Sequence, residues 1–172
     1  MKLDIGCGRN KRAGFIGIDF VAGDGVDIVH DLTVFPWPIE TNASDEIVMS
    51  DVIEHLPNTV ATFNELHRIA RRGCRVEITY PYWRSFGCYS DPTHIHYFNE
   101  NLIEYFMRPG TSAKNENRYS YYTKNYWKFI SRELITYPFL RCLPDKMLSF
   151  LSRHFLDVVH GVRLIITPDK SN

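Results

Sequence analysis

Apolar residues in the first hundred positions fall into short runs separated by glycine and acidic turns. Lys2–Ile5, Phe15–Phe20, Val26–Val29, Glu46–Ser50 and Cys74–Tyr80 are too short for helices and rich in isoleucine and valine, which predicts five buried strands. Between the fourth and fifth, Val60, Phe63, Leu66 and Ala70 recur at helical spacing. Asn58, just after Pro57, predicts the N-cap of that helix, and Arg71-Arg72-Gly73 predicts its C-terminus. Leu102, Ile103 and Phe106 share one face of a second helix expected over Asn101–Met107. A strand, a helix and a strand in succession need a crossover, and a crossover gives a parallel pair.

Past Arg108 the pattern loosens. Arg108–Tyr126 is polar and tyrosine-rich, with Pro109-Gly110 as punctuation. Trp127–Leu156 predicts two helices broken near Pro138 and Pro144. Leu156–Thr167 predicts two strands joined at His160-Gly161. No internal repeat or low-complexity segment is present.

Composition narrows the class. A chain of 172 residues is about one domain's worth, long enough to fold without disulfides or a structural metal. No uncharged apolar run approaches 18 residues, which predicts no transmembrane helix, and the start Met1-Lys2-Leu3-Asp4 lacks the apolar core of a signal peptide. Cys7, Cys74, Cys88 and Cys142 form no C-x-x-C pair and read as free thiols, so a cytoplasmic location is expected. Charge adds one feature. The net charge is zero, yet residues 1–107 hold 9 Lys and Arg against 15 Asp and Glu, and residues 108–153 hold 9 against 3. An acidic part is followed by a basic one, which suggests different partners for the two.

The chemistry begins at the turn after the first strand, Asp4-Ile5-Gly6-Cys7-Gly8-Arg9-Asn10-Lys11. Glycines there let a ligand approach the backbone closely. A dinucleotide fold requires G-x-G-x-x-G and an acid about 20 residues on. Lys11 stands where the third glycine belongs, and Asp19 follows Gly8 by only 11 residues, so that reading fails. Asp4-x-Gly6-x-Gly8 followed by Gly17-Ile18-Asp19 instead resembles the class I S-adenosylmethionine-dependent methyltransferases, in a compact type-11-like form. His30-Asp31-Leu32, the stretch from Phe35-Pro36-Trp37-Pro38 to Ser44-Asp45-Glu46-Ile47, and Asp51-Val52-Ile53-Glu54-His55-Leu56 continue the resemblance in order, over residues 2 to about 107.

The resemblance implies an α/β, Rossmann-like, doubly wound sheet of seven strands, mostly parallel with the last antiparallel, in the order 3-2-1-4-5-7-6. It implies S-adenosyl-L-methionine as cofactor, with Asp19 accepting from the ribose hydroxyls and Asp31 from the adenine amino group under cover of Leu32. Asp4, Gly6, Gly8 and Ser50 would hold the rest. The chain is then one domain over 1–172: a cofactor-binding core at 1–107, a basic aromatic insertion or lid at 108–153, and C-terminal strands at 154–172. Two departures are expected. Asp4 and Asp19 are only 15 residues apart, so a loop over Arg9–Gly14 replaces the usual helix, and the helices that commonly precede strand one are absent.

After the fifth strand, Ser90-Asp91-Pro92-Thr93-His94-Ile95-His96 supplies a carboxylate and two imidazoles on the ligand side of such a sheet. Methyl transfer aligns an acceptor and often removes its proton, so His94 or His96, with Asp91, is the candidate base. Asp51, Glu54 and His55, at i, i+3 and i+4, would share one face of a helical turn, with His94 or His96 as a fourth metal ligand. This is similar to a set in ubiquinone-pathway O-methyltransferases and small-RNA 2′-O-methyltransferases. Oxygen-rich ligation would favour Mg²⁺ or Mn²⁺.

The basic segment interleaves its charges with Tyr119, Tyr121, Tyr122, Tyr126, Trp127 and Phe129. It suits a lid over the acceptor, or RNA through phosphates and stacking. Met147, Leu148, Phe150, Leu151 and Phe155 share a helical face, expected to pack on the sheet rather than meet a membrane surface. The function expected is O-methylation of a small molecule or glycan intermediate. The alternatives are an RNA methyltransferase and a non-catalytic cofactor-binding scaffold.

Overall fold

The computed structural model describes residues 1–111 and 122–171. Tyr119 and Tyr121 of the expected lid lie outside the described residues. The strands are β1 (Lys2–Ile5), β2 (Ile16–Asp19), β3 (Ile28–Val29), β4 (Ser44–Ser50), β5 (Ala70–Pro81), β6 (Trp127–Thr136) and β7 (Val159–Pro168). The helices are α1 (Thr59–Ile69), α2 (Phe86–Ser90) and α3 (Asp145–His154), with 3₁₀ turns at Ile53–His55, Leu102–Phe106 and Pro138–Leu140. One seven-stranded sheet runs β3-β2-β1-β4-β5-β7-β6. The first five strands pair in parallel, and β7 runs antiparallel to both β5 and β6.

The period of two along each strand sorts the side chains. Leu3, Ile5, Ile47, Met49, Val76 and Ile78 are fully buried, and together with Phe63, Leu66 and Ile69 of α1 they form the core. Asn58 caps α1 as expected, its side chain accepting from the Ala61 N–H at 3.0 Å. Phe106, from the 3₁₀ turn expected as a helix, stacks on Phe63 at 3.9 Å between centroids.

The opposite face carries charge. Lys2, Glu46, Arg75, Glu77, Arg163 and Glu133 form ion pairs across β1, β4, β5, β7 and β6. No helix forms between β1 and β2. The Arg9–Gly14 loop lies on this face instead, with its Arg12 N–H donating to the Asp4 carboxylate at 2.7 Å and its Arg12 guanidinium pairing with Glu77 at 3.2 Å.

Several elements differ from the sequence reading. Trp127–Thr136 is the edge strand β6, not a helix. Its alternation is broken by a register shift between Phe129 and Ser131, so only Trp127, Leu134 and Thr136 are buried. The two strands expected about His160-Gly161 are the single strand β7. Gly161 serves close approach rather than a turn, since a Cβ there would stand 3.1 Å from the Tyr80 carbonyl oxygen. Arg71-Arg72-Gly73 follows α1 as an irregular stretch of β5, with Gly73 left-handed at φ +80°. In α3, only Leu148 of the expected apolar face is buried, whereas Met147, Phe150 and the following Phe155 are exposed. Among the described residues no helix is long and apolar enough to cross a membrane.

Candidate active site

A cleft of about 550 Å³ opens beyond the carboxyl ends of β1, β2 and β4, bordered by the segment after β3. Open α/β sheets bind ligands in that position, and the volume is in the small-molecule range. The walls include Gly6, Asp19, Asp31, Leu32, Asp51 and His55. Gly6 is left-handed at φ +69°, and a Cβ on it would stand 2.3 Å from Val52 Cγ2. Two independent constraints therefore require glycine there.

Asp19 is buried at the end of β2. Its carboxylate accepts from the Gly8 N–H at 2.8 Å and from the Val21 N–H at 3.2 Å, one contact on each oxygen. Each oxygen keeps a lone pair for a further donor. Asp31 is exposed, and its Oδ1 accepts from both the N–H and the hydroxyl of Thr33, at 2.9 and 2.8 Å. Those bonds hold its carboxyl below the usual range and leave Oδ2 free.

Other expected ligand residues lie elsewhere. Asp4 faces the sheet's charged side and pins the Arg9–Gly14 loop, outside the cleft lining. Gly8 and Ser50 also lie outside that lining; Gly8 supports Asp19 from behind. Phe20, Thr33, Val52, Leu56 and Thr93 complete the wall without having been singled out. Thr33 and Thr93 each follow an aspartate by two residues and bond it, an Asx-type pattern that the sequence does carry.

A second cluster adjoins the cleft. The expected helical turn is a 3₁₀ turn over Ile53–His55, and Asp51 lies before it in the left-handed region at φ +53°. Asp51 therefore does not share one helical face with Glu54 and His55, although it lies near both of them and near His94. The three side chains that gather are Glu54, His55 and His94, whose ligand atoms lie within 4.8 Å of one another. Glu54 is 1% exposed, and neither of its carboxylate oxygens has a hydrogen-bond partner. Burial pushes its carboxyl up to about 7. Its backbone carbonyl accepts from the N–H groups of Ile95 and His96 at 3.0 and 3.1 Å, which fastens the histidine segment beside it.

His94 Nε2 stands 3.9 Å from Glu54 Oε1 and 3.9 Å from Asp91 Oδ2. Its Nδ1 lies 2.9 Å from the Cys88 carbonyl oxygen. The His55 and His94 rings meet edge to face at 4.7 Å. His96 is set apart, its ring against Phe98 at 5.5 Å and its Nε2 buried without a partner. Asp51 lines both the cleft and a neighbouring concavity of about 470 Å³, which Glu54, Asp91 and His94 also line. A ligand in the cleft and a second molecule in the concavity would meet at Asp51.

No protein-family model and no curated protein matches the sequence. Solved structures do match in fold. A S-adenosylmethionine-dependent methyltransferase from Archaeoglobus fulgidus is 18% identical, with a TM-score of 0.56 over 98% of this chain and 85% of that one. Phosphoethanolamine N-methyltransferase 2 of Haemonchus contortus, in complex with phosphomonomethylethanolamine and S-adenosylhomocysteine, is 16% identical with a TM-score of 0.58; the match spans 99% of this chain and 48% of that one. The [4+2]-cyclase SpnF is 13% identical with a TM-score of 0.57, over 96% and 74%. The strand order, the antiparallel β7 and these likenesses together show that the chain has the Rossmann-like fold of the class I S-adenosylmethionine-dependent methyltransferases.

Proposed function

We propose that the protein is an S-adenosylmethionine-dependent methyltransferase acting on a hydroxyl of a small molecule or glycan intermediate. The observation that carries this reading is the convergence of Gly6, Asp19, Asp31 and Leu32 on one cleft, next to a second concavity lined by acids and His94. Fold alone would not suffice, since the same fold serves a cyclase. Asp19 accepts from the ribose hydroxyls through its remaining lone pairs, and Asp31 Oδ2 accepts from the adenine amino group. Leu32, Val52 and Leu56 supply apolar cover. Asp4 acts at one remove, by holding the loop behind the glycine turn.

The acceptor enters from the concavity beyond Asp51. His94 is better placed than His96 to take its proton, because His94 lines that concavity and His96 lines neither. Little favours RNA. Arg108 and Lys128 pair with Asp169, and Arg132 donates to the Glu100 carbonyl, so these cations are engaged within the fold.

The test has two parts. Calorimetry with S-adenosylmethionine is expected to show one binding event in the wild type and a large loss in Asp19→Ala. Labelled cofactor incubated with fractionated extract is expected to mark small hydroxylated molecules. Label in RNA or protein would overturn the acceptor class, binding without transfer would support a scaffold, and no binding would sink the reading.

A further inference from the structure

We propose that α2, the 3₁₀ turn Pro138–Leu140 and the outer side of α3 form one aromatic, basic face that docks on an anionic membrane surface. The docking does not rest on the methyltransferase reading.

The first observation is how much apolar surface stands in water. Phe86, Phe139, Phe150, Phe155 and Leu156 are each between 60% and 75% exposed. They come from three elements that are separate in sequence, and hydrogen bonds tie those elements together. The Asp157 carboxylate accepts from the Phe86 N–H and from the Tyr137 hydroxyl, both at 2.9 Å. The Arg84 guanidinium donates to the Arg153 carbonyl at 3.0 Å, which links the start of α2 to the end of α3. Tyr137 in turn stacks on Phe139 at 5.5 Å between centroids. Single exposed apolar residues are ordinary, whereas a group gathered in this way marks an interaction surface.

The second observation is the charge on the same face. Leu148 and Ser152, four residues apart, are buried and form the inner side of α3. Lys146, Phe150 and Arg153, at i, i+4 and i+7, stand on its outer side, and all three are exposed. The His154 ring lies against Phe150 at 4.7 Å. Residues 137–156 hold Arg141, Lys146 and Arg153 against a single acid, Asp145. Among the described residues none of these three cations forms an ion pair, in contrast to Arg108, Lys128 and Arg163, which pair with Asp169 and Glu133.

These two observations choose the occupant. None of the five apolar side chains lines the cleft or the concavity, so they suit a broad surface rather than a small ligand. Rings set among unpaired cations match the border of an anionic bilayer: the rings enter the acyl boundary and the cations meet headgroup phosphates. A second copy of the chain fits less well, because a twofold contact would bring Arg141, Lys146 and Arg153 against their own like. α2 also lends Gly87 and Ser90 to the concavity beside His94, so docking sets that concavity at the lipid boundary.

The experiment is flotation of the full chain with two kinds of vesicle, phosphatidylcholine alone and phosphatidylcholine mixed with phosphatidylglycerol. Binding to the mixed vesicles is expected to be at least tenfold tighter, and to fall as salt rises from about 0.1 M to about 0.5 M. Phe150→Ser combined with Phe155→Ser should weaken it by more than tenfold through lost apolar contact. Lys146→Glu combined with Arg153→Glu should do the same through charge, at about fivefold or more for each site. All four side chains are exposed, so the variants keep the fold, and circular dichroism checks that they do. The proposal is overturned if the wild type stays with neither vesicle, if it binds both equally, or if either folded double variant binds unchanged. Sedimentation without lipid covers the other occupant: a dimer that Phe150→Ser dissociates would assign the face to a second copy and overturn docking. Titration with S-adenosylmethionine runs in parallel, and its failure alone sinks the methyltransferase reading and leaves the membrane face standing.

Discussion

The backbone N–H of Gly8 donates to the carboxylate of Asp19 at 2.8 Å, so the glycine turn after β1 and the acid ending β2 form one unit. Asp19 thereby has a structural job as well as the proposed ribose contact. Asp19→Ala should weaken cofactor binding by at least tenfold and destabilise the fold by about 1–3 kcal/mol, since it orphans the Gly8 and Val21 N–H groups. Asp19→Asn keeps one acceptor and should lose less stability while still binding poorly. Calorimetry with the cofactor and urea unfolding of both variants separate the two effects. Equal loss of stability in Asn and Ala would remove the structural role.

Gly6 and Val52 are coupled by space. In Gly6→Ala the left-handed backbone costs about 1–2 kcal/mol, and the contact with Val52 adds about 1–3 kcal/mol of overpacking. Val52→Ala in the same chain should recover the second part and not the first. A double-mutant cycle by denaturant unfolding is expected to show that non-additivity. Strict additivity would mean that the turn moves away from Val52 freely.

His67 makes stability depend on pH. It is buried, with its ring edge-on to Trp127 at 5.5 Å and its Nε2 unpartnered. Burial pushes its pKa down to about 4. The unfolded chain binds a proton near pH 6.5 that the folded chain refuses until about pH 4. Its contribution is therefore whole above about pH 6.5 and shrinks as pH falls towards 4, by at most about 3 kcal/mol. His67→Phe keeps the aromatic contact and should flatten that part of the profile. Urea midpoints of variant and wild type between about pH 7 and about pH 4.5 check it, and parallel profiles would show that His67 carries none of the slope.

The cleft side of the site was more legible in the sequence than the cluster of Glu54, His55 and His94. Asp19 ends β2 and Asp31 follows β3 by two residues, and strand ends converge in an open sheet, so the fold that the resemblance implied brings both to one cleft. Glu54 and His94 are 40 residues apart, and they meet because the Glu54 carbonyl accepts two N–H groups of the histidine segment. No periodicity encodes that contact. At Asp51 the i, i+3, i+4 rule assumes helical backbone, whereas this residue is left-handed and leads into a 3₁₀ turn; it lines the same concavity as Glu54 and His94 without belonging to the closest group of three. The strand β6 was missed for a related reason. An edge strand buries few side chains, and the shift near Phe129 erases the alternation that would have marked it.

The expected core-facing stripe of α3 gives the last prediction. Helical spacing put Met147, Leu148, Phe150, Leu151 and Phe155 together, yet the structure buries Leu148 at 3% exposure and leaves Phe150 at 60%. The two residues should then respond in opposite ways to truncation. Leu148→Ala opens a hole against the core that includes Val159 and Val162 of β7, and should cost about 2–5 kcal/mol. Phe150→Ser removes a ring that is mostly in water, and should change stability by no more than about 0.5 kcal/mol. Chemical denaturation of the two variants decides between the arrangements: a Phe150→Ser loss as large as that of Leu148→Ala would mean that α3 turns its aromatic side inward after all.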